Sequence, residues 1–299
     1  MMNVFVAVTE EQGFAAAARR LTMSPPAVTR AIASLEDHLK VKLLNRTTRH
    51  VRTTEAGQRY LEDARQILAA ADAADEAAAG INAEPRGHLA VTAPILFGRI
   101  FVLPGILDYL SRYPETEISA QFLDRNVSLL EEGIDVGIRI GELPDSSMRA
   151  IPVGKVRLVL CGSPEYLKQH GLPQQPEDLH HHSVIASSAG DHAIHWRFNR
   201  SGNGRTAEET SLSIKPRLTV TTNDAAIDAA VSGFGLTRLL SYQIAPQLAS
   251  GALKVILSDY EPAPKPIHIV HREGRYTSTR VRAFIDLMAE KLRSNAALN

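Results

Sequence analysis

The sequence predicts a mixed α/β chain in three parts. A small helical head is expected at residues 1–53, a linker helix and hinge at 54–87, and an α/β body at 88–299. Helical apolar spacing and positive charge are concentrated in the first part, and a run rich in alanine forms the second. Strand-like and helix-like segments alternate in the third. A length of 299 residues suits two or three such units.

The overall composition is that of an ordinary globular protein, with 44% hydrophobic residues, 22% charged residues and a formal net charge of zero. The charge is unevenly distributed, because residues 13–52 hold eight lysines and arginines against two acids, a local charge of +6. No apolar run approaches the ~20 residues that span a bilayer. The first residues lack the basic start and cleavage site of a secretory signal. We expect a cytoplasmic protein with no membrane partner.

Two short helices are predicted in the head. The first is Phe14–Leu21, and a turn leads to the second, for which Ser24 is a suitable N-cap and Pro25 a favourable first residue. Helical spacing defines the buried face of the second helix: Val28, Ala31, Ile32, Leu35 and Leu39. The other face begins with small, hydroxyl and arginine side chains, as in a helix that enters a major groove. Taken alone, the pattern fits a helical hairpin with a solvated face about equally well.

The next segment favours DNA binding. Residues 45–53 read Asn-Arg-Thr-Thr-Arg-His-Val-Arg-Thr, which is both basic and rich in residues that favour strands. Such a segment is typical of a hairpin wing that lies against phosphates. A solvated charged face explains it less well.

A long helix is predicted from Glu55. Its seam alternates spacings of four and three: Tyr60, Ala64, Ile67, Ala71, Ala74 and Ala78. Small residues at heptad spacing let two helices approach closely, so we expect a dimer through this helix. Packing of the helix on its own domain is the alternative. Gly80 is expected to end it, and residues 82–87, which include Pro85, to form a hinge.

The body alternates between two kinds of segment. Strands are predicted at Leu89–Ala93, Ile118–Leu123, Val136–Ile140, Arg157–Cys161, Leu218–Thr222 and Ile267–His271. Helices are predicted at Gly98–Tyr113, Asn126–Glu132, Asp224–Ser232, Tyr242–Ser250 and Ser278–Leu292. This alternation predicts an α/β sheet with a parallel component.

Motifs along nearly the whole chain resemble those of LysR-type transcriptional regulators. In the head they are Phe5-Val-Ala-Val, Gly13-Phe-Ala-Ala-Ala-Ala-Arg-Arg-Leu, Met23-Ser-Pro-Pro-Ala-Val-Thr-Arg-Ala-Ile, Leu35-Glu, Leu43-Leu-Asn-Arg-Thr-Thr-Arg and Thr54-Glu-Ala-Gly. In the body they are Val91-Thr-Ala-Pro, Phe97-Gly-Arg, Tyr113-Pro, Glu132-Gly-Ile-Asp-Val-Gly-Ile-Arg-Ile-Gly and Gly233-Phe-Gly-Leu.

For the head, the resemblance implies a winged helix-turn-helix with its recognition helix at Pro25–Leu39. The DNA contacts it implies are Ser24, Pro25, Pro26, Thr29, Arg30, Arg46 and Arg49. Arginine can grip a phosphate or fork onto a guanine edge, so Arg30 and Arg49 are the strongest candidates. Two residues depart from the pattern. Pro25 stands where many members have Gln, and Lys40 where Gly is common, so a left-handed backbone at Lys40 would be modestly strained.

For the body, the resemblance implies a two-lobed α/β domain like type 2 periplasmic binding proteins. Lobe one would comprise 88–160 plus 268–299 and lobe two 161–267, with crossings near Cys161 and Pro266. A small-molecule effector would bind between the lobes and change their relative angle. The candidate effector contacts are Thr92, Ala93, Pro94, Ile95, Arg125, Arg139, Ser187, Asn223 and Phe234.

The expected effector is anionic, such as a carboxylate. Residues 92–98 lead from a strand into a helix and Asn223 begins another, and the N-termini of helices favour anions. Arg125 and Arg139 add positive charge, although a structural ion pair or a surface position is the more favoured interpretation of each.

The partners that follow are double-stranded promoter DNA, the effector and further copies of the chain. The copies would form a dimer through the linker helix and a homotetramer through the bodies, and RNA polymerase is a further partner. Effector binding would then alter the spacing of the heads and the bending of the DNA. No cofactor and no metal are expected.

Two other classes of function were weighed. An enzyme would draw on Ser187, Ser188, Asp191 and the histidines at 180–182, but no Gly-x-Ser-x-Gly elbow is present, and adjacent histidines do not share a helix face. The single cysteine, Cys161, ends an apolar run and is interpreted as a buried core residue. A ligand receptor without DNA binding is disfavoured by the basic cluster.

Overall fold

The computed structural model describes residues 1–46, 51–79, 84–125, 127–143, 148–187, 194–200, 208–272 and 278–298. The head and linker contain α1 (Met2–Glu10), α2 (Phe14–Arg20), α3 (Pro25–Leu39), β1 (Leu44–Arg46), β2 (Val51–Thr53) and α4 (Glu55–Ala79). The wing strands β1 and β2 pair antiparallel. The predicted helix-turn-helix and wing are therefore confirmed, and α1 adds a third helix to the head.

The recognition helix α3 follows its sequence pattern closely. Ser24 is the N-cap, its Oγ accepting from the Ala27 amide at 3.4 Å, and Pro25 occupies the first turn. Val28 and Ile32 are fully buried against the other head helices. At the end of α3, Lys40 has φ 56° and ψ 27°, so the left-handed backbone anticipated there is present on a residue that has a Cβ.

Glu36 holds the wing to the recognition helix. Its carboxylate is 2% exposed and accepts hydrogen bonds from the amides of Leu43 at 2.9 Å and Leu44 at 3.2 Å. The Lys42 ammonium donates to the other oxygen at 2.8 Å. Burial alone would raise the pKa of Glu36, but the hydrogen bonds from Lys42, Leu43 and Leu44 outweigh it, so the pKa is lowered.

The linker helix begins beside the segment 42–44 that Glu36 binds. The Thr54 hydroxyl donates to the Lys42 carbonyl at 2.8 Å and accepts from the Gly57 amide at 2.9 Å, in the manner of an N-cap. A Cβ on Gly57 would lie 2.0 Å from the Leu43 carbonyl oxygen, so only glycine fits. The directions of α3, the wing and α4 are thereby fixed relative to one another.

The first residues of the predicted heptad seam pack inside the chain. Tyr60 stacks edge-on against Phe5 of α1 with ring centroids 5.4 Å apart, and Ala64 is fully buried in the head core. Ala64 therefore cannot reach a partner helix, and Tyr60, which is half-buried, packs on the chain's own head, as the alternative to the dimer seam expects at these two positions. Ile67, at 51%, is exposed, and so is Ala71. The side chains of Ala74 and Ala78 lie outside the described set.

The body divides into two lobes. Lobe one contains β3 (Gly87–Ala93), α5 (Ile95–Phe97), a π-helical turn (Gly98–Val102), α6 (Leu103–Arg112), β4 (Thr116–Phe122), β5 (Val136–Ile140) and β6 (Met148–Val156). Lobe two contains β7 (Leu158–Gly162), α7 (Pro164–His170), β8 (Val184–Ser187), β9 (Ile194–Arg200), β10 (Glu208–Ile214), β11 (Leu218–Val220), α8 (Asn223–Val231), β12 (Leu236–Leu240), α9 (Ala245–Ala249) and β13 (Lys254–Ile256). The chain then returns to lobe one through β14 (Lys265–Arg272) and α10 (Thr279–Arg293).

Each lobe is built on a mixed sheet of five strands, in the orders β4-β3-β5-β14-β6 and β11-β8-β12-β7-β13. The pairs β3–β4, β3–β5, β8–β11 and β8–β12 are parallel, which confirms the parallel component. Because β7 lies wholly in the second sheet, the first crossing is at Arg157 and not at residue 161. The second crossing leads into β14 at Lys265, ahead of the expected start of the return at 268.

All six predicted strands of the body are present, and one predicted helix is wrong. Residues 127–133 form turns and not a helix. Val127 and Leu129 of this segment are buried whereas Leu130 is exposed, and the Arg139 guanidinium donates to the Val127 carbonyl at 3.0 Å. Gly133 closes the segment with φ +65°. Within the described ranges, no helix is both long and apolar enough to cross a membrane.

The hydrogen bonds that Glu36 accepts predict that the stability of the head depends on pH. We expect Glu36→Gln to destabilise the head by about 1–3 kcal/mol at neutral pH, because charge-assisted bonds to buried amides are lost. A lowered pKa contributes stability above the ordinary glutamate value of about 4.3 that is lost as the pH falls through the lowered pKa. The difference between variant and wild type should therefore shrink below about pH 4. Urea unfolding followed by circular dichroism across pH measures this.

Asp37→Asn, at the exposed neighbouring position, serves as the matched control and should change stability little. A Glu36→Gln variant as stable as wild type at pH 7 would contradict the assigned role.

Candidate DNA-binding surface and effector cleft

The residues expected to contact DNA share one exposed face at the start of α3. All five predicted there are exposed: Ser24, Pro25, Pro26, Thr29 and Arg30. The Thr29 hydroxyl donates to the Pro25 carbonyl at 3.0 Å and the Arg30 Nε to the Pro26 carbonyl at 3.4 Å. Both side chains thus lie along the helix surface, and a short rotation brings either to an approaching duplex.

The wing is described in part. Arg46 ends β1, but its side chain lies outside the described set, as does all of Arg49. Arg52 on β2 is exposed and pairs in register with Asn45. An exposed cation therefore lies on the wing in addition to those on α3.

Other basic residues of the head serve its structure. Arg20 pairs with Glu10 at 2.7 Å and Glu11 at 3.5 Å, and the hydrogen bond that its guanidinium donates to Glu10 raises the pKa of Arg20. Glu10 also holds Arg65 of α4 at 3.0 Å. Lys42 forms an ion pair with Glu36. The local charge of +6 is therefore larger than the charge available to DNA.

The two lobes meet at the edges where their parallel strands end. Asp124, just after β4, accepts from the backbone amide of Ile95 at 3.0 Å and from the side-chain amide of Asn223 at 3.4 Å. A second pair, Arg99 and Asp224, lies 4.0 Å apart. These contacts join the start of α5 to the start of α8, so a carboxylate of the chain itself occupies the place between the two helix N-termini.

An aromatic cluster lies beside this contact. Tyr242 of lobe two packs edge-on against Phe97 at 5.4 Å and Phe101 at 5.7 Å, both in lobe one. Tyr242 is 3% exposed, and its hydroxyl makes no hydrogen bond of good geometry to a described residue, although the Gln243 side chain lies close enough to act on its pKa. Burial raises the pKa of this hydroxyl. An unpaired buried hydroxyl costs free energy unless something binds to it.

Three of the predicted effector residues meet or adjoin this cleft. Ile95 and Asn223 are joined through Asp124, and Pro94 precedes Ile95 as the half-buried residue before α5. Ser187 ends β8, where it pairs in register with Val220 of β11, on the same strand edge as Asn223.

Four other predicted effector contacts have structural roles in this conformation. Thr92 is fully buried and donates to the Gln121 carbonyl within the sheet at 2.9 Å, and Ala93 is fully buried in the core. Arg125 forms a two-pronged pair with Glu132 at 2.7 and 2.9 Å. Arg139 donates to main-chain carbonyls beneath the turn at 127–133. Arg125 thus forms the ion pair favoured for it from the sequence, whereas half-buried Arg139 contacts main-chain carbonyls and has, among the described residues, neither an ion pair of the expected kind nor a free surface position.

Phe234 corrects the prediction in another way. It follows α8, whereas Asn223 begins it, so the nine residues of the helix carry Phe234 away from the cleft edge by about 14 Å. It is 38% exposed, with the Arg217 guanidinium 5.3 Å from its ring. Phe234 and Asn223 do not share a site.

Three residues at this contact between the lobes were not predicted from the sequence: Asp124, Arg99 and Tyr242. Asp124 carried a usable signal, since it is the first acidic residue after a predicted strand, on the edge where ligands bind in α/β sheets. Tyr242 gave none, because its position against Phe97 depends on how the lobes pack.

The described positions of the residues that an enzyme would use give no support to that hypothesis. His180 and His181 are exposed, and His182 faces Tyr166, with its Nδ1 3.3 Å from the hydroxyl. Ser188 and Asp191 lie outside the described residues. Cys161 is fully buried, and burial raises the pKa of its thiol to about 12, as expected of a core residue. The described residues hold no cluster of three side chains suited to a metal ion.

Comparisons with known proteins match both halves of the chain. A family model described as a bacterial regulatory helix-turn-helix protein of the lysR family matches residues 1–58, and one described as the LysR substrate binding domain matches 82–293. The chain is 31% identical to the HTH-type transcriptional activator TtdR of Escherichia coli K12 over 291 residues, 96% of this chain and 91% of TtdR.

Solved structures agree. The structure of CrgA, a LysR-type transcriptional regulator from Neisseria meningitidis, is 30% identical and superposes with a TM-score of 0.62 over 98% of each chain. The full-length structure of AphB, a Vibrio cholerae virulence activator, is 25% identical with a TM-score of 0.61 over 97% of each chain. The chain belongs to the LysR family of bacterial transcriptional regulators, with an N-terminal DNA-binding helix-turn-helix and a C-terminal effector-binding domain.

Proposed function

We propose that this regulator binds promoter DNA through the exposed start of α3 and the wing, and that an anionic effector in the interlobe cleft controls that binding. The observation that carries the proposal is the Asp124 bridge. The two carboxylate oxygens of Asp124 accept hydrogen bonds from Ile95 in lobe one and from Asn223 in lobe two. The donors that join the lobes therefore also suit an external anion.

The effector would act by replacing the Asp124 carboxylate as the acceptor between the lobes. An anion that takes the Ile95 amide and the Asn223 side chain displaces the Asp124 carboxylate, and the Tyr242 hydroxyl offers it a further donor. The lobe angle shifts only as far as the effector prefers one lobe arrangement to the other. The signal reaches the DNA through α4, which the Thr54–Gly57 cap fixes to the wing.

Self-association is the second part of the proposal. The helix through α6 presents exposed Ile100, Leu103 and Leu107, at 37%, 39% and 58%, with the spacing of one helix face. This stripe supports pairing of bodies, while Ile67 and Ala71 on α4 support pairing of linker helices. Together they give a homotetramer with paired heads. RNA polymerase as a partner stays a prediction.

Arg30 tests DNA binding. We expect Arg30→Ala to weaken binding to the DNA upstream of the protein's own gene by about 1–3 kcal/mol, because a charged fork to phosphate or base is lost. Fluorescence anisotropy at fixed salt measures this. Arg112→Ala, an exposed arginine of the body, is the control and should bind as wild type does. Unaltered affinity of Arg30→Ala would remove α3 from the interface.

Asp124 tests the charge of the effector. Calorimetry of the full-length protein with a panel of small carboxylates, amines and neutral sugars identifies the ligand class. For an anionic effector, Asp124→Asn should raise affinity by about tenfold, since a competing like charge is removed while the acceptor to Ile95 is kept. Ligands confined to amines or sugars, or an anion bound more weakly by the variant, would refute the anionic effector.

Tyr242→Phe tests the same cleft from the other side. Removing an unpaired buried hydroxyl should stabilise the ligand-free protein by about 1 kcal/mol and weaken effector binding by a similar amount. Thermal unfolding with and without ligand gives both values. A variant that loses stability and keeps full effector affinity would show that the hydroxyl does not face the effector.

Leu107 tests the body interface. Leu107→Glu places a charge on an exposed position, so it should leave the fold intact but reduce a tetramer to a dimer. Light scattering coupled to size-exclusion chromatography measures the mass. An unchanged tetramer would remove the α6 stripe from the interface.

A further inference from the structure

A second cavity lies away from the cleft just described, on the face of lobe two covered by the β9–β10 hairpin. It has a volume of about 690 Å³, within the range of small-molecule sites. Its walls are the unpaired edge of β9, Arg238 of β12, and the crossing segment 262–266 that leads into β14. None of the nine predicted effector residues lines it.

Arg238 is the unusual group of this cavity. Its guanidinium lies over Phe198 at 4.7 Å and Trp196 at 5.6 Å, and one nitrogen donates to the Arg197 carbonyl at 2.5 Å. Burial lowers the pKa of Arg238 to about 10, so it remains charged at neutral pH.

This charge has no carboxylate partner among the described residues. The acid that raises the pKa of Arg238 against the effect of burial is Glu261, and Arg157 donates to both of its carboxylate oxygens, at 2.7 and 2.8 Å. Among the described lining residues, the other charged side chains are Arg197, Lys265 and Glu142, so three basic groups including Arg238 stand against one acid. A partly desolvated arginine in such surroundings is stabilised by an external anion.

The uncharged part of the described lining combines two polar side chains, His195 and Asn199, with a larger set of apolar ones. The apolar walls include Trp196, Leu158 and the prolines at 262, 264 and 266. A ring or an unsaturated chain packs well against such surfaces, whereas a fully hydrated ion such as phosphate would leave them uncovered.

We propose that this cavity is a second ligand site, which binds a small aromatic or unsaturated carboxylate through Arg238 with the apolar part of the ligand against Trp196. Such a ligand contacts both lobe two and the segment that crosses to lobe one. It can therefore bind at the junction of the lobes without occupying the cleft.

The chain provides its own probe, since Trp196 is its only tryptophan. Benzoate, cinnamate, 2-furoate and sorbate are titrated separately into the full-length protein while the tryptophan emission is followed, with benzamide as the neutral analogue of benzoate. At least one carboxylate should give a saturable change. Arg238→Gln should weaken it by about tenfold or more, because the charged fork is lost.

Arg217→Gln is the matched control, since Arg217 also lies over an aromatic ring of lobe two but outside the cavity. It should titrate as wild type does, and circular dichroism verifies that both variants are folded. The proposal is overturned if none of the four carboxylates saturates at millimolar concentration, if benzamide binds as tightly as benzoate, or if Arg238→Gln binds as wild type does. A response that Tyr242→Phe abolishes would place the probe in the cleft and also overturn it.

Discussion

The buried carboxylate of Glu36 is the contact on which transmission through the molecule depends. It gathers two amides of the segment before the wing onto the recognition helix, and Thr54 and Gly57 seat the linker helix on the same segment. Because these groups are short and buried, α3, the wing and α4 can only move together. A change in the direction of α4 therefore becomes a change in where the recognition helix lies.

The two ligand sites proposed for the body have opposite arrangements of charge. In the cleft, donors from two lobes are already satisfied by Asp124, so an anion must compete with an internal carboxylate. In the cavity beside β9, Arg238 is partly buried, and the acid that acts on its pKa, Glu261, is ion-paired with Arg157. The first arrangement favours a switch, since binding breaks an existing contact between lobes, and the second favours simple occupancy.

Local patterns made much of this architecture predictable. Ser24 and Pro25 mark the start of α3, Val28 and Ile32 its buried face, and the six predicted strands of the body are all present. Long-range packing limited the rest. Residues 127–133 have a helical pattern, but tertiary burial and the Arg139 contacts override it, and Tyr60 of the seam is taken by Phe5. The strand edges that bear Ile95 and Asn223 follow from the predicted strands and helices, whereas the position of Tyr242 depends on two lobes meeting.

The return of the chain to lobe one has a consequence for biosynthesis. Strand β6 pairs only with β14 in the described sheet, and α10 places Phe284 against Tyr109 with ring centroids 5.4 Å apart. Both β14 and α10 leave the ribosome after all of lobe two. Lobe two, although synthesised later than most of lobe one, is thus the first of the two that can complete its sheet. Lobe one must wait with an open edge at β5 until the last strand arrives, so its exposed edge is the point in the nascent protein most open to mispairing.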